Sequence, residues 1–340
     1  MSAITAQEPG LAPARRARPG GLGLRWIAWR LVLGVLVVLA ASVIIFLATT
    51  ALPTNPAQAI LGKQATPDAV ARLTASLGLD RPIADQYLSW LGGVLQGDFG
   101  TSLASRRPVA EQLGPALENS LVLLLLTALI AIPASVLLGA VTALRRDGFF
   151  DRATLLVSLG LTAVPEFVIG MLLVILFATL VFPVLPAVAL IPAGANPLGY
   201  PRELALPVLT LVLAVVPYLY RLVRNTMIDV LDSEYVTMAR LKGMPARIVL
   251  LRHALPNAMI PVTQASAVIL SYLLGGIVVV EYVFRYPGLG TLLTEAIGNR
   301  DIPVIQATAL VLATGVVLFN LAADVLTVAL TPKLRTGGRR

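Results

Sequence analysis

The apolar two-thirds of this 340-residue chain hold one long polar run, and it carries the side chains best placed for chemistry. From Asp232 to Pro261 it reads DSEYVTMARLKGMPARIVLLRHALPNAMIP, with Arg240, Lys242, Arg247, Arg252 and the only histidine, His253. The chain has no cysteine, which excludes disulfides, thiolate metal sites and cysteine nucleophiles. A single histidine makes no metal cluster, and no Asp pair or Ser–Lys dyad stands at matching depth in the apolar runs. Both points argue against a membrane-embedded enzyme. No G-x-x-x-x-G-K-[ST] loop is present to cradle a nucleotide. Glu166 and Asp324 sit inside apolar runs, where a carboxylate faces either a water-filled path or a polar partner. The chemistry left is recognition: docking by a basic segment and contacts from isolated polar groups.

The elements that must position these groups are membrane helices. Hydrophobic residues make up 57% of the chain and charged residues 13%, with a mean hydropathy of +0.85. That balance belongs to a multispanning protein. Continuous apolar runs without strand-like alternation give an all-α polytopic fold rather than a barrel. The net charge of +8 lacks a basic–aromatic surface beside it, so nucleic acid is not expected as a partner.

In chain order, residues 1–24 read as a flexible basic tail and 25–52 as the first span, free of charge from Leu31 to Leu52. Residues 53–120 form an external segment with helices from Pro67 to Leu77 and Ile83 to Leu95, the latter apolar along Tyr87, Leu88, Trp90, Leu91 and Val94. It either caps the outer mouth and meets a partner or simply packs as a lid. Residues 121–330 form the core, with spans at about 121–144, 153–182, 204–222, 258–280 and 304–330 and a polar loop at 223–257. Pro165 makes the third of the six spans a kinked one, with Glu166 beside the kink. Residues 331–340 are a second basic tail. Placing the N and C termini in the cytoplasm puts most of the 26 Lys and Arg inside, as the positive-inside rule asks.

The polar loop has its own signals. Asp232 or Ser233 can cap a helix whose first turn holds Glu234 and whose end holds Lys242. Gly243 stops it and Pro245 prevents continuation. A second helical piece runs from Ala246 to Leu255, Pro256 breaks it, and Asn257 can cap the fifth span. Ala239 and Gly243 lie four apart and make a small patch between the apolar knobs Met238 and Leu241. Such a helix suits a groove on another protein or an interfacial position on lipid headgroups, and composition leaves both open.

The segment resembles the cytoplasmic loop of membrane subunits of binding-protein-dependent ABC importers, written E-A-A, three residues, G, nine residues, I-x-L-P. Aligned on Gly243, Ala239, the spacing of nine, Leu255 and Pro256 match, while Thr237, Met238 and His253 replace the Glu, first Ala and Ile. YVTMARLKG followed by LLRHALPNAMIPV is similar to dipeptide and oligopeptide permeases. So are LGLDRP at 77–82, QYLSWLGGVLQGDFGTSL at 86–103, RPVAEQL at 107–113, VPEFVIGMLL at 164–173, VFRYPGLGTLLTEAI at 283–297 and NLAADVLTVALTPKLR at 320–335.

The resemblance implies the type I ABC importer permease fold with six transmembrane helices, in the B-type subunit of a bacterial inner-membrane peptide importer. It implies a homologous second permease, two cytoplasmic ATPases that bind ATP and Mg, and an external peptide-binding receptor. This chain itself is then non-catalytic and binds no cofactor. ATPase coupling would fall to Glu234, Met238, Ala239, Arg240, Lys242, Gly243, Leu255 and Pro256. Candidate path-lining groups are Glu166, Gln264, Ser271 and Gln306. Tyr286, Pro287, Gly288, Leu289 and Gly290 are candidate receptor contacts. Nickel chelates or glutathione are the alternative cargo. A proton-coupled secondary transporter is less well supported, because ionisable relays and internal repeats are missing.

Overall fold

A computed structural model describes residues 22–51, 61, 66–76, 78, 80–192, 194–245 and 248–330. Its helices are α1 (Leu22–Thr50), α2 (Pro67–Ser76), α3 (Ile83–Leu95), α4 (Val109–Leu144), α5 (Phe149–Thr162) and α6 (Glu166–Val174). They continue as α7 (Pro201–Leu231), α8 (Glu234–Leu241), α9 (Leu255–Phe284), α10 (Leu289–Asn299) and α11 (Ile302–Leu330). Four of them are long and apolar enough to cross a membrane, and six spans result if the bent pairs α5–α6 and α9–α10 each count as one. Among the described residues the only β feature is an isolated bridge between Thr101 and Pro108.

The core forms where α4 and α7 pack along each other, with α9 across them. Gly139 sets the closeness of the first pair, since a Cβ there would lie 2.6 Å from the Cβ of Val223. Leu123, Leu124, Leu206, Leu211, Leu219 and Ile277 fill the interior. At 36 residues α4 is about 54 Å long, well beyond a hydrocarbon core of about 30 Å. The second span is therefore continuous with the end of the segment expected to be external, and the expected boundary near residue 120 falls inside a helix.

The third span differs most from its expected form. It is two helices bent by 104° at 163–165, followed by a π-helical turn at Ile175–Thr179, and no single kinked helix runs over 153–182. Pro165 has no N–H to continue α5, and its ring disfavours helical geometry at Val164. The other bent pair is α9 and α10, which meet at 69° with Arg285 in the left-handed region at φ 52°.

Helix α1 leans on α11 in an antiparallel register fixed at three heights. Arg30 pairs with Asp324 at 2.6 Å, Gly34 faces Val317, and Gln306 Nε2 donates to Thr49 Oγ1 at 2.7 Å. Arg30 also stacks over the Trp26 ring. On its other side α1 meets α3 through Phe46, Tyr87 and Trp90, and Ser42 and Tyr87 share a 2.8 Å hydroxyl contact. Leu88, on the apolar side of α3, is exposed.

Candidate docking helix, buried carboxylate and path residues

Helix α8 stands at the end of the bundle that carries the charged turn 145–148. Neither expected cap side chain caps it. Asp232 ends α7 and pairs with Arg146 at 2.6 Å, while the Ser233 hydroxyl donates backward to the Val230 carbonyl at 2.5 Å. The C-terminus closes completely. Gly243 N donates to Arg240 O, Met244 N donates to Ala239 O, and Gly243 adopts φ 75°. This Schellman arrangement satisfies the last carbonyls. No atom approaches within 4 Å of a Cβ built on Gly243, so its backbone angle, not crowding, calls for glycine.

The faces of α8 revise one expectation. Val236 and Ala239 are buried and pack on Val249, with Val230 and Met244 at the edge. Ala239 therefore lets α8 lie close to its own chain and is not part of an outward patch. Facing away are Glu234, Tyr235, Thr237, Met238, Arg240, Leu241 and Lys242. Tyr235, Met238 and Leu241, spaced by three, form an apolar ridge between 46% and 77% exposed. Beyond Pro245, Val249–Ala254 forms a π turn that runs directly into α9. Pro256 sits in the first turn of α9, where its missing N–H costs least, and Asn257 lies inside that helix rather than capping it. Pro256 is exposed, whereas Leu255 is half-buried against Ala143, Val223 and Met227. Arg247 lies outside the described residues, as do the side chains of His253 and Gln264.

Beneath α8, Asp151 is 1% exposed and receives two bonds from Arg224, Nε at 2.5 Å and Nη2 at 2.6 Å. The Asp147 amide adds a third at 3.0 Å. This fork holds the start of α5 to α7, the helix that leads into α8.

The segment Tyr286–Gly290 is a buckle, and its centre is a residue that sequence reasoning left aside. Glu281 is fully buried and accepts from Ser120 Oγ at 2.6 Å and from the Gly290 amide at 2.6 Å, at the N-terminus of α10. The helix dipole favours an anion there. Ser120 Oγ in turn accepts from Leu289 N at 2.8 Å. Asn119 Nδ2 donates to Pro287 O at 2.7 Å, and the Tyr286 hydroxyl donates to Asn119 O at 2.8 Å. A Cβ on Gly288 would collide with the Glu281 carboxylate, and one on Gly290 would strike first the Val278 backbone and then the same carboxylate. Gly288 thus makes room for the carboxylate, and Gly290 lets the start of α10 lie against α9. Tyr286, Gly288, Leu289 and Gly290 are buried against α4, so the expected receptor-contact turn offers only half-buried Pro287 at its surface. The sequence signal for Glu281 is a carboxylate at the end of an apolar run, one residue beyond the expected close of the fifth span at 280.

The candidate path residues are not gathered into one place. Glu166 is half-buried with its carboxylate against Gly276 of α9. Ser271 is buried and its hydroxyl has no partner. Gln306 is committed to Thr49. It lies at a cleft of about 1010 Å³ that α1, α3 and the 98–106 loop enclose with the start of α11, lined also by Arg81, Asp85, Trp90 and Phe99. Asp301 anchors that loop through Ser102 Oγ at 2.5 Å and the amides of Leu103 and Ala104. Among the described residues, no group of three His, Asp or Glu is placed to hold a metal.

Residues 135–336 match the family described as binding-protein-dependent transport system inner membrane component, and residues 23–128 match its N-terminal companion. A putative peptide transport system permease protein of Brucella abortus is 37% identical over 300 residues, 88% of this chain and 95% of the relative. A metal-staphylopine import system permease protein of Staphylococcus aureus is 35% identical over 319 residues, 93% and 99% of the two chains. A glutathione transport system permease protein of Salmonella typhi is 37% identical over 312 residues, 92% and 99% of the two. With four to six apolar spans and matches along almost its whole length, the chain belongs to the inner-membrane permease components of binding-protein-dependent ABC importers.

Proposed function

We propose that this permease serves an ATP-driven peptide importer as one of two homologous membrane subunits. Helix α8 seats in a groove of a cytoplasmic ATPase, and the termini lie on the same side. ATP and Mg belong to the ATPases. An external receptor delivers the peptide at the opposite end, near Pro287 and the 98–106 loop. The observation that carries the reading is the ridge of Tyr235, Met238 and Leu241. It projects from a helix closed at its C-terminus and packed on its own chain by Val236 and Ala239. Peptide as cargo is supported by the relatives named for peptide transport. Glutathione and metal-staphylopine relatives favour the alternative cargo named above.

The ridge makes a specific prediction. Met238→Asp places a charge where the groove desolvates it, and a loss of only about 1.4 kcal/mol is tenfold in association. Uptake in reconstituted vesicles should fall at least tenfold, and ATPase stimulation by loaded receptor should vanish. Wild-type uptake by that variant would sink the docking assignment. Arg240→Ala combined with Lys242→Ala acts differently. These exposed charges steer encounter, so the pair should slow ATPase association and flatten its salt dependence with a smaller effect on uptake. Stopped-flow association at two salt concentrations checks it.

A further inference from the structure

Carboxylates within or beside an apolar bundle are costly and are normally paired. Asp151 has Arg224, Glu281 has Ser120 and the Gly290 amide, Asp301 has Ser102 and two amides, and Asp324 has Arg30. Glu166 breaks the pattern. It is half-buried in the first turn of α6, and among the described residues neither a hydrogen bond nor a charged side chain acts on its carboxylate. The chain nevertheless makes a slot for it, because a Cβ on Gly276 would collide with the carboxylate. The adjacent Gly275 has nothing within 4 Å. The slot therefore borders the exposed stripe of α9 formed by Val268, Tyr272, Gly275, Val279 and Tyr282.

The elbow next to Glu166 supplies an independent constraint. Thr162, Ala163 and Pro165 are exposed where the chain leaves α5 and has not yet entered α6. Backbone released from a helix inside a span is tolerated only against protein or a water-filled cavity. The unpaired carboxylate thus stands on a surface that lipid does not cover.

We propose that Glu166 receives a positively charged group of the transported solute, an α-ammonium or a lysine or arginine side chain. The inference rests on the importer reading and adds a charge preference to it. A lone carboxylate is a poor metal site, since a hard cation asks for several oxygen ligands, but it matches one ammonium. Tyr272, one turn before Gly276 on the same side of α9, adds an aromatic face that favours cations.

The test compares wild-type and Glu166→Gln complexes in vesicles, with one receptor preparation and three probes: trilysine, trialanine and N-acetyl-trialanine. Receptor affinity is common to both complexes, so the variant-to-wild-type ratio for each peptide reports the permease alone. The expected kcat/KM loss is tenfold or more for trilysine, several-fold for trialanine and under twofold for N-acetyl-trialanine. Gly276→Ala should reproduce this order by displacing the carboxylate without removing it. A ratio equal for all three peptides, whether near one or uniformly low, overturns the proposal. A second readout needs no transport: coupling of glycine ethyl ester to Glu166 by a water-soluble carbodiimide, with and without each peptide. Protection by trilysine and not by N-acetyl-trialanine supports the cation site even if the wild-type complex imports no peptide, an outcome that would remove the peptide-cargo reading instead. Labelling that trilysine leaves unchanged counts against the site however well the complex transports.

Discussion

The Arg224→Met protein is expected to lose about 3–5 kcal/mol of stability, the usual cost of removing one partner from a buried ion pair. Asp151 would stay behind at 1% exposure with the Asp147 amide as its one remaining hydrogen-bond donor and Arg152 as a neighbouring charge. Thermal melts in detergent, followed by tryptophan fluorescence, should show an early transition. Asp151→Asn combined with Arg224→Met should recover much of the loss, because the second change removes the stranded charge. Arg146→Met provides the contrast. Its pair with Asp232 has the same 2.6 Å separation but both side chains are about half exposed, 50% and 54%. Solvent screening leaves such a pair about 0–1 kcal/mol. Burial, not distance, separates the two outcomes, and equal losses in both variants would contradict that account.

Ser120→Ala should produce the second large effect. One hydroxyl serves two groups there, donating to Glu281 and accepting from Leu289 N. Its removal leaves a buried carboxylate oxygen short of a donor and a buried amide without an acceptor. At about 1–3 kcal/mol for each unsatisfied group, the loss is about 2–6 kcal/mol. Ser120→Thr keeps the hydroxyl and should retain most of the stability. Hydrogen exchange localises the damage: the first amides of α10 should lose protection in the alanine variant and keep it in the threonine variant. Unchanged protection in Ser120→Ala would show that Glu281 does not depend on this link.

What the sequence could disclose divides along physical lines. Membrane helices were legible because an uninterrupted apolar run leaves the backbone one way to satisfy itself. The end of α8 was legible too, since Gly243 before a proline is a local signal that neighbours need not confirm. Local signals failed wherever a third element decided the outcome. Ala239 reads the same whether it faces inward or outward, and only its packing on Val249 turns it toward the chain. Ser233 had a helix to cap and bonded the preceding one instead. Pro165 announced a bend, but the 104° angle depends on what α6 packs against, namely α7 and α9. In the Pro287–Gly290 turn both glycines looked like turn residues. Their purpose becomes visible only with the Glu281 carboxylate beside Gly288 and the Val278 backbone against Gly290.

The register between α1 and α11 bears on how the protein is made. Its fastenings join the first span to the last, and 257 residues separate Thr49 from Gln306. At about 5–20 residues per second, roughly 13–50 s of synthesis pass before the partner emerges. During that interval α1 rests in the bilayer with most of its surface against lipid, a wait that its charge-free stretch from Leu31 to Leu52 makes tolerable. Arg30 and Thr49 lack their partners until α11 has been made. Closure of this seam therefore waits for α11, and until then α1 shows the bilayer the face that Asp324, Val317 and Gln306 will cover.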